Sequence, residues 1–259
     1  MQKAKKKRPT IRNIVALLDT TLRVRSIKDA SRNGLQVRSS KSGEIKKVGF
    51  AVDACYSTFE MANKLGIDLL VVHHGIKWRP QKDRDLEKLR ETYLRKHDIA
   101  LYAAHLPLDL HEDYGNNIRL SRMLGVQEPQ RFGKYHGIKI GYAGTLARAL
   151  TPASAAAVLN RALGTSCRVF AFGRKQIRTI GIISGGGGSM LKDAVREKLD
   201  CFLVGEIDLA VHNAAKEYGM NIIAAGHYAT ETVGVRALMP LIRDAFGAET
   251  VFVDDPKEI

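Results

Sequence analysis

The sequence predicts an α/β fold, and three observations lead to that prediction. Short apolar runs rich in Val and Ile alternate along the chain with segments whose apolar residues recur every three to four positions. Strands that alternate with helices are typical of α/β architecture. The chain has 259 residues, of which 45% are hydrophobic and 26% charged, enough for one or two domains with a large core. It has no apolar run of about 18 residues, so we expect no transmembrane helix.

The first half of the chain predicts a helix followed by a β-α-β unit. Thr10 is placed to cap a helix whose apolar residues have helical spacing. Ser57 and Glu60 have the spacing of a capping box, which predicts a helix between two strands and therefore a parallel strand pair. The expected elements are, in order, a helix over 11–18, strands over 33–37 and 48–53, a helix over 57–65, a strand over 69–72, a helix over 83–97, a strand over 99–104 and a helix over 118–124.

The second half continues the alternation. Pro152 suits the first turn of a helix, whereas Pro240 is expected to bend one. The glycine-rich run Ser184–Ser189 could hold a phosphate with backbone N–H groups or could pack tightly as a βα loop, and it lacks the Lys-Ser/Thr pair of a P-loop. The expected elements are, in order, a strand over 141–146, a helix over 153–163, strands over 169–172 and 177–183, a helix to about 199, a strand over 201–204, a helix over 209–218, a strand over 221–225, a helix over 231–246 and a strand over 251–253.

Positive charge is concentrated in the N-terminal segment. The net charge is +14, and residues 1–50 hold 14 Lys and Arg against 3 Asp and Glu. Such a segment could bind nucleic acid, but no aromatic residues interleave with its lysines, which favours a solubilising role. The N-terminus has no apolar segment of a signal peptide. The scattered cysteines, Cys55, Cys167 and Cys201, predict buried free thiols in a reducing cytoplasm, so a cytoplasmic location is expected.

Two adjacent histidines, His73 and His74, follow the apolar run at 69–72 and precede Gly75. Neighbouring side chains on a strand point to opposite faces, so both rings can face one site only if the strand ends before them and the chain turns. Gly75 would allow that turn. The pair is interpreted either as metal ligands, one for each of two metals, or as one core histidine beside one solvated histidine.

Further histidines follow other predicted strands, and carboxylates accompany them. His105 and His227 come at or just after the ends of two strands, and functional groups gather at such carboxyl ends in parallel sheets. Asp109 and Glu231 each lie four residues after one of these histidines, a spacing that places two side chains on one face of a helix. Pro107 argues against a regular helix before Asp109, so a turn is expected there.

The histidine and carboxylate side chains at the strand ends offer both nitrogen and oxygen donors. Imidazole and carboxylate ligands suit Zn, Fe, Mn, Ni or Co, and the set is not a soft thiolate site. Five ligands exceed the needs of one tetrahedral ion, and a carboxylate can bridge two ions. Two ions about 3.5–4 Å apart are therefore the simpler interpretation. The candidate ligands are His73, His74, Asp109, His227 and Glu231, with His105 nearby.

Five motifs support a family resemblance. They are, in order, Asn33-Gly34-Leu35-Gln36-Val37, Val71-Val72-His73-His74-Gly75, Ala104-His105-Leu106-Pro107-Leu108-Asp109, Gly115-Asn116-Asn117 and Gly226-His227-Tyr228-Ala229-Thr230-Glu231-Thr232. With these motifs the sequence resembles, over nearly its whole length, the Nif-three-like family of dinuclear metal-centre proteins. The resemblance implies the same five metal ligands, with Glu231 bridging two metals. His105 would then either support the ligands without binding metal or act as a candidate catalytic base.

The resemblance also implies an architecture. It predicts two α/β lobes with mixed sheets and a dinuclear metal site in the cleft between them. Residues 1–128 plus 221–259 would form the metal-binding lobe and residues 129–220 the second lobe. It further implies a toroidal homohexamer whose sites face an inner cavity. Many relatives are labelled GTP cyclohydrolase type 2 homologues, but the sequence lacks the Cys/His zinc pattern of a cyclohydrolase.

Two functions remain open from the sequence. The first is a metal-dependent hydrolase of a phosphorylated or nucleotide-like substrate, because a basic protein attracts anions, with His105 moving protons. The alternative is a non-enzymatic, metal-binding regulatory oligomer associated with nucleic acid. Near the candidate ligands, Glu206 is interpreted as a solvated loop acid rather than a group facing the site. Trp78 is interpreted as a packing residue rather than a surface on which a ligand stacks.

Overall fold

The structure is a computed structural model that describes residues 8–257, apart from residues 42 and 82. The strands are β1 (Gly34–Val37), β2 (Lys47–Asp53), β3 (Leu69–His74), β4 (Ala100–Ala103), β5 (Val126–Tyr135), β6 (Ile138–Leu150), β7 (Arg168–Phe170), β8 (Ile177–Ile183), β9 (Cys201–Val204), β10 (Asn221–Ala224) and β11 (Glu249–Phe252). The helices are α1 (Ile11–Thr21), α2 (Tyr56–Lys64), α3 (Arg84–Lys96), α4 (Leu106–Asp109), α5 (Asn116–Met123), α6 (Pro152–Leu163), α7 (Leu191–Arg196), α8 (Leu209–Tyr218) and α9 (His227–Phe246). Among these described residues, no helix is both long and apolar enough to span a bilayer.

The chain divides into two compact units, each with its own sheet. The first unit contains the residues up to Leu108 together with Val235–Asp255, and its sheet has the strand order β1-β4-β3-β2-β11. Neighbouring strands are parallel except for β1, which is antiparallel to β4. The parallel pairing of β2 with β3 on either side of α2 confirms the predicted β-α-β unit.

The register of the first sheet brings three strand ends together. Asp53 at the end of β2 pairs with His74 at the end of β3, and Val72 pairs with Ala103 at the end of β4. Apolar side chains hold the strands in this register, since β2, β3 and β4 are almost entirely buried. Residues that follow these strands therefore start from one common edge of the sheet.

The second unit contains Asp109–Gly234 together with residues 256 and 257, and its sheet has the order β5-β6-β8-β9-β10-β7. The central strands β8, β9 and β10 are parallel, and the outer pairings are antiparallel. At their carboxyl ends, the N–H of Gly226 donates to the carbonyl of Gly205 at 2.8 Å, and the N–H of Glu206 donates to the carbonyl of Gly185 at 3.1 Å. These bonds hold the loops after β8, β9 and β10 side by side.

The boundaries of these units differ from the division expected from the resemblance. Strand β10 was expected in the lobe formed by residues 1–128 and 221–259, but it pairs in parallel with β9 of the second unit. Residues 109–128 likewise belong with the second unit. The reason is that β10 extends the parallel run that begins with β8, so its backbone hydrogen bonds lie in the second sheet.

Strand β5 is absent from the predicted elements. Its first half is polar and contains Pro129, and its pairing with β6 is irregular between Gln127 and Gln130. β5 lies at the edge of its sheet and pairs with β6 alone among the strands of the second sheet. An edge position tolerates proline and an interrupted apolar pattern, which is why the sequence pattern did not indicate a strand.

Three helix starts also differ from the expectations. Cys55, not Ser57, is the N-cap residue of α2, and the Ser57 hydroxyl donates instead to Asp255 Oδ2 at 2.6 Å. A single helical turn, α4, contains Pro107, because proline in a first turn lacks only an N–H that has no partner within the helix. Helix α9 begins at His227, four residues earlier than expected.

The cysteines are free thiols, but full burial is correct only for Cys201. Cys55 and Cys167 are half-buried. Burial raises the pKa of the Cys167 thiol to about 11 and raises the pKa of Cys201 further. Both side chains are therefore neutral thiols at physiological pH.

Candidate metal centre

His73 and His74 are the last two residues of β3, so the strand does not end before them as expected. Their ring centroids are nevertheless only 4.6 Å apart. His73 is fully buried, and its Nδ1 lies 3.0 Å from the carbonyl oxygen of Ala104. His74 is half-buried, and its Nδ1 lies 2.8 Å from Asp53 Oδ1. Each ring is thus oriented by an oxygen at the end of a neighbouring strand.

Gly75 provides space rather than a turn. Its φ lies outside the left-handed region, so the glycine is not needed for backbone conformation. A Cβ at this position would instead collide with the side-chain amide of Gln36 and with Ala103. The Gln36 Oε1 accepts the N–H of Ile76 at 2.8 Å, and its Nε2 donates to the carbonyl of Arg32 at 2.7 Å. The absence of a side chain at Gly75 therefore lets Gln36 hold the chain that follows the two histidines.

His105 is oriented by Asp29. The His105 Nδ1 lies 3.0 Å from Asp29 Oδ1, and the backbone N–H of Leu106 donates to Asp29 Oδ2 at 2.9 Å. The Asn33 amide donates to Asp29 Oδ2 and accepts the backbone N–H of His105, both at 2.8 Å. Burial of Asp29 opposes its ionisation, but hydrogen bonds and the charge of His105, with bonds from Asn33 and Ser31, lower its pKa to about 2. The carboxylate is therefore ionised at neutral pH.

The imidazoles of the first unit form one cluster. One ligand atom from each of His73, His74 and His105 lies within 4.8 Å of the other two. Trp78 lies beside this cluster, with its ring centroid 5.1 Å from that of His105 and its Nε1 donating to the carbonyl of Gly75 at 2.8 Å. Three neighbouring imidazoles are a donor set that suits divalent transition ions.

His227 lies between two carboxylates of the second unit. Its Nδ1 is 3.0 Å from Glu206 Oε1, and its Nε2 is 3.3 Å from Glu231 Oε2, one helical turn later on α9. Burial favours the neutral ring, but the hydrogen bonds and charges of Glu231 and Glu206 outweigh it and raise the pKa of His227 to about 9. The interpretation of Glu206 as a solvated loop acid is wrong, because it is the half-buried partner of His227.

The glycine-rich loop after β8 lies against Glu231. Gly185 has a φ of +62°, and a Cβ at this position would collide with Glu231 Oε1. The N–H of Gly185 donates to Thr230 Oγ1 at 3.0 Å, and the N–H of Ser184 donates to Asn117 Oδ1 at 2.7 Å. Since these two N–H groups bond within the protein, the structure favours a tightly packed loop over a phosphate cradle at residues 184 and 185.

Asp109 is buried at the end of α4, and two side chains hold it. Its Oδ1 accepts a hydrogen bond from Asn116 Nδ2 at 2.8 Å and one from Ser184 Oγ at 3.3 Å. The Asn116 Oδ1 in turn accepts the N–H of Gly234 at 2.8 Å. Asn116 therefore connects the Asp109 carboxylate to helix α9, which also carries His227 and Glu231.

The four strand-end histidines share one arrangement. The Nδ1 of each ring lies close to an oxygen acceptor, which is the carbonyl of Ala104 for His73, Asp53 for His74, Asp29 for His105 and Glu206 for His227. A ring that donates through Nδ1 offers Nε2 as its ligand atom. Metal-binding histidines usually have their second nitrogen bonded to a carboxylate or carbonyl in this way. At His227, whose pKa is raised, a metal ion at Nε2 would replace a proton. The histidine and carboxylate groups of each unit therefore fit divalent transition ions.

Similarity to known proteins covers nearly the whole chain. The model of the family described as Duf34/NIF3 (NGG1p interacting factor 3) matches residues 9–258. The chain belongs to the Duf34/NIF3 family. This membership confirms the resemblance seen in the sequence motifs.

Relatives of this NIF3-family chain match it over nearly its whole length. The GTP cyclohydrolase 1 type 2 homolog of Pyrococcus abyssi is 40% identical over 245 residues, which are 94% of this chain and 97% of that protein. The protein of the same name from Archaeoglobus fulgidus is 38% identical over 247 residues, 95% of this chain and 98% of that protein. The crystal structure of TTHA1606 from Thermus thermophilus has a TM-score of 0.84 and 34% identity, covering 96% of this chain and 99% of that one. The α/β fold with two mixed sheets is thus one that other proteins share.

Sequence reasoning located the histidines of this NIF3-family chain but missed their partners. Asp53 ends a predicted strand, and Glu206 follows another. Like the histidines, they could have been identified from their position at the end of a strand. Asp29 carried a weaker signal, since it lies in a segment without periodic apolar residues. Its Oδ1 accepts the N–H of Ser31 at 3.1 Å, the local bond of an Asx-turn, and the residues Asp-x-Ser were the available sign of it.

Proposed function

We propose that this NIF3-family protein binds two divalent transition ions and is a metal-dependent hydrolase of a phosphorylated or nucleotide-like substrate. The proposed ligands are His73, His74, Asp109, His227 and Glu231. The observation that carries the proposal is the shared Nδ1 arrangement of the histidines, because it orients His73, His74 and His227 with Nε2 as the ligand atom.

The spacing of donors in the second unit supports this proposal. Ligand atoms about 2.1 Å from one ion are about 3.0 Å apart at a right angle and about 3.4 Å apart at the tetrahedral angle. The 3.3 Å between His227 Nε2 and Glu231 Oε2 falls in that range. Gly185 allows the Glu231 carboxylate to take this position, because any larger residue would place a Cβ on it.

The residues of this chain would each have a defined task. Bound ions would supply Lewis acidity and lower the pKa of a water molecule. Asp53 and Glu206 would orient His74 and His227, and Asn116 would hold the Asp109 carboxylate. The net charge of +14 would attract an anionic substrate.

The metal proposal is tested by reconstitution. Protein treated with a chelator, loaded with Zn²⁺ or Co²⁺ and desalted should retain up to two ions per chain by elemental analysis. His73→Ala and Glu231→Ala should each lower that stoichiometry. His212→Ala is the matched control, because His212 packs against Phe170 and Phe172 and belongs to neither group of residues that could hold a metal ion. A wild-type chain that retains no ion, or ligand variants that retain as much as the control, would contradict the ligand assignment.

The hydrolase proposal needs a separate test. Metal-loaded protein is assayed on phosphomonoesters, phosphodiesters and nucleotides, and GTP belongs in this panel because relatives carry the name GTP cyclohydrolase 1 type 2 homolog. Turnover that disappears in Glu231→Ala supports a hydrolase. No turnover at any metal loading, together with binding to DNA or RNA that metal removal leaves unchanged, supports the alternative of a non-enzymatic regulatory protein.

Assembly as a hexamer stays a prediction of the family resemblance, and a cytoplasmic location stays a prediction from the scattered cysteines. The Nδ1 arrangement and the bound-ion proposal do not depend on it. Light scattering of the purified chain measures the particle mass, and a mass of a single chain would contradict the hexamer.

A further inference from the structure

We propose that Asp29 is a positioning residue that holds His105 in the tautomer protonated at Nδ1, so that Nε2 accepts a proton at the metal centre. The inference rests on the proposed function only in one respect, namely that His105 accepts this proton during hydrolysis. The position of the proton on the ring follows from the first unit alone, since Asp29, His105 and all their hydrogen-bond partners named here belong to it.

The pair is built as an oriented dyad. The Asp29 side chain is only 2% exposed, whereas that of His105 is 20% exposed, so the carboxylate is buried and the imidazole remains partly accessible. The Asp29 carboxylate meets the ring on its Nδ1 side, at 3.0 Å from Oδ1 and 3.2 Å from Oδ2. One ligand atom of His105 also lies within 4.8 Å of those of His73 and His74. With Nδ1 bonded to Asp29, Nε2 is the nitrogen available to the centre.

The other partners of Asp29 establish which atom carries the proton. Backbone N–H groups of Ser31 and Leu106 donate to the carboxylate, at 3.1 and 2.9 Å, and they cannot accept. The Asn33 Oδ1 accepts the N–H of His105, which fixes the amide with Nδ2 towards Asp29. The carboxylate is therefore an acceptor for every neighbour. The ionised carboxylate has no proton to give, so the Nδ1 of His105 must be the donor.

This tautomer determines what His105 can do. The Nε2 lone pair can take a proton from a water molecule as its O–H bond breaks, and the water oxygen keeps the bonding electrons for attack on an electrophilic substrate atom. The ring then becomes an imidazolium, and the Asp29 carboxylate stabilises its charge. The proton can later pass from Nε2 to the leaving group. The opposite tautomer, protonated at Nε2, could not perform the first step.

The variant Asp29→Asn should reverse the tautomer. An amide must place its NH₂ group at one of the two carboxylate oxygen positions. The Oδ2 position faces the N–H groups of Leu106 and Asn33 at 2.9 and 2.8 Å, and those donors cannot change. The Oδ1 position faces only one fixed donor, the N–H of Ser31, together with His105, which can change from donor to acceptor at Nδ1. We therefore expect the amide NH₂ at the Oδ1 position and the proton of His105 on Nε2.

Nitrogen-15 NMR of histidine-labelled, metal-free full-length protein tests this directly. Long-range couplings to the ring hydrogens identify the protonated nitrogen, and His105→Gln assigns the His105 signals. Wild type should have the proton on Nδ1, and Asp29→Asn should have it on Nε2. The matched control is Asp68→Asn, because Asp68 also accepts backbone N–H groups, from Lys46 and Lys47, but bonds to Lys41 instead of a histidine. The control should resemble wild type.

Several outcomes would overturn the proposal. If the His105 ring of the wild-type protein is protonated on Nε2, the proposal is wrong. This outcome can be observed even if Asp29→Asn does not fold. An Asp29→Asn spectrum with His105 unchanged removes the positioning role. In zinc-loaded protein, a His105 Nε2 signal with the shift of a coordinated nitrogen would show a ligand rather than a proton acceptor. A failure of metal binding with the expected tautomers would instead contradict the proposed function, so the two failures are distinguishable.

Discussion

Replacing Gly185 with alanine separates the folding role of the glycine-rich loop from its proposed role in metal binding. Gly185 has a φ of +62°, which an alanine adopts at a conformational cost of about 1–2 kcal/mol. Gly164, which ends α6, has a φ of +64°, and a Cβ added there would have no atom within 4 Å, so Gly164→Ala has the same conformational cost without a collision. In both variants we expect the melting temperature to fall by roughly 2–8 °C.

The two variants should differ in metal binding. The new Cβ of Gly185→Ala collides with Glu231 Oε1, and the carboxylate is the far end of a flexible side chain, so it moves away rather than unfolding the helix. That movement takes it from its place 3.3 Å from His227 Nε2. Displacing a proposed ligand should weaken metal binding by at least the roughly 10–100-fold seen when a supporting residue of a metal site is removed.

The assay combines thermal unfolding with competitive titration of Zn²⁺ against a chromophoric chelator. Gly164→Ala should bind zinc like wild type despite its lower melting temperature, and Gly185→Ala should lose affinity. Equal zinc affinity in the two variants would refute the reasoning, because Glu231 would then be either unnecessary or able to bind from another position. Loss of affinity in both variants would mean that the overall stability of the fold, not the collision, controls binding.

Three further perturbations test other parts of the structure. The pKa of Asp29 is lowered to about 2, so its ionised form stabilises the fold above the ordinary aspartate pKa of 3.8 and this contribution is lost as the pH falls towards 2. In urea unfolding at pH 7, Asp29→Asn should therefore be less stable than wild type by about 1–2 kcal/mol, after allowance for solvent screening. This difference in the free energy of unfolding should be smaller at pH 3. A difference that does not change with pH would contradict the lowered pKa of Asp29. Gly75→Ala should destabilise the first unit by about 1–3 kcal/mol in the same assay, because the added Cβ meets the Gln36 amide, and an unchanged midpoint would show that this contact relaxes freely. Asn116→Ala removes a hydrogen bond to Asp109 and should weaken zinc binding about 10–100-fold by titration, whereas unchanged affinity would show that Asp109 is held by other groups or is not a ligand.

The sequence predicted the positions of the histidines because strand ends are visible as the limits of apolar runs. His73, His74 and His105 follow runs that are buried in the first sheet, and His227 follows a run buried in the second. The parallel pairing of β2 and β3 was predictable for the same reason, since a helix separates two buried strands.

Other features were not predictable, because they depend on contacts between residues distant in sequence. Asp29 and His105 are 76 positions apart, and no local pattern connects them. Gly75 was expected to permit a turn, but its role is to leave space for Gln36, which lies 39 positions earlier and is visible only in the packed structure. Edge strand β5 was missed because its exposed positions need no apolar alternation.

The position of Trp78 allows the intrinsic fluorescence of this protein to report on its imidazole cluster. It is the only tryptophan in the sequence, and its ring centroid lies 5.1 Å from His105 and 6.2 Å from His74. Emission excited selectively from tryptophan therefore originates next to the imidazole cluster. Paramagnetic ions such as Co²⁺ or Cu²⁺ that bind there would quench this emission at short range, whereas Zn²⁺ would compete without comparable quenching. The proposed binding of ions in the first unit would thus be measurable in real time, without labels and in the unmodified chain.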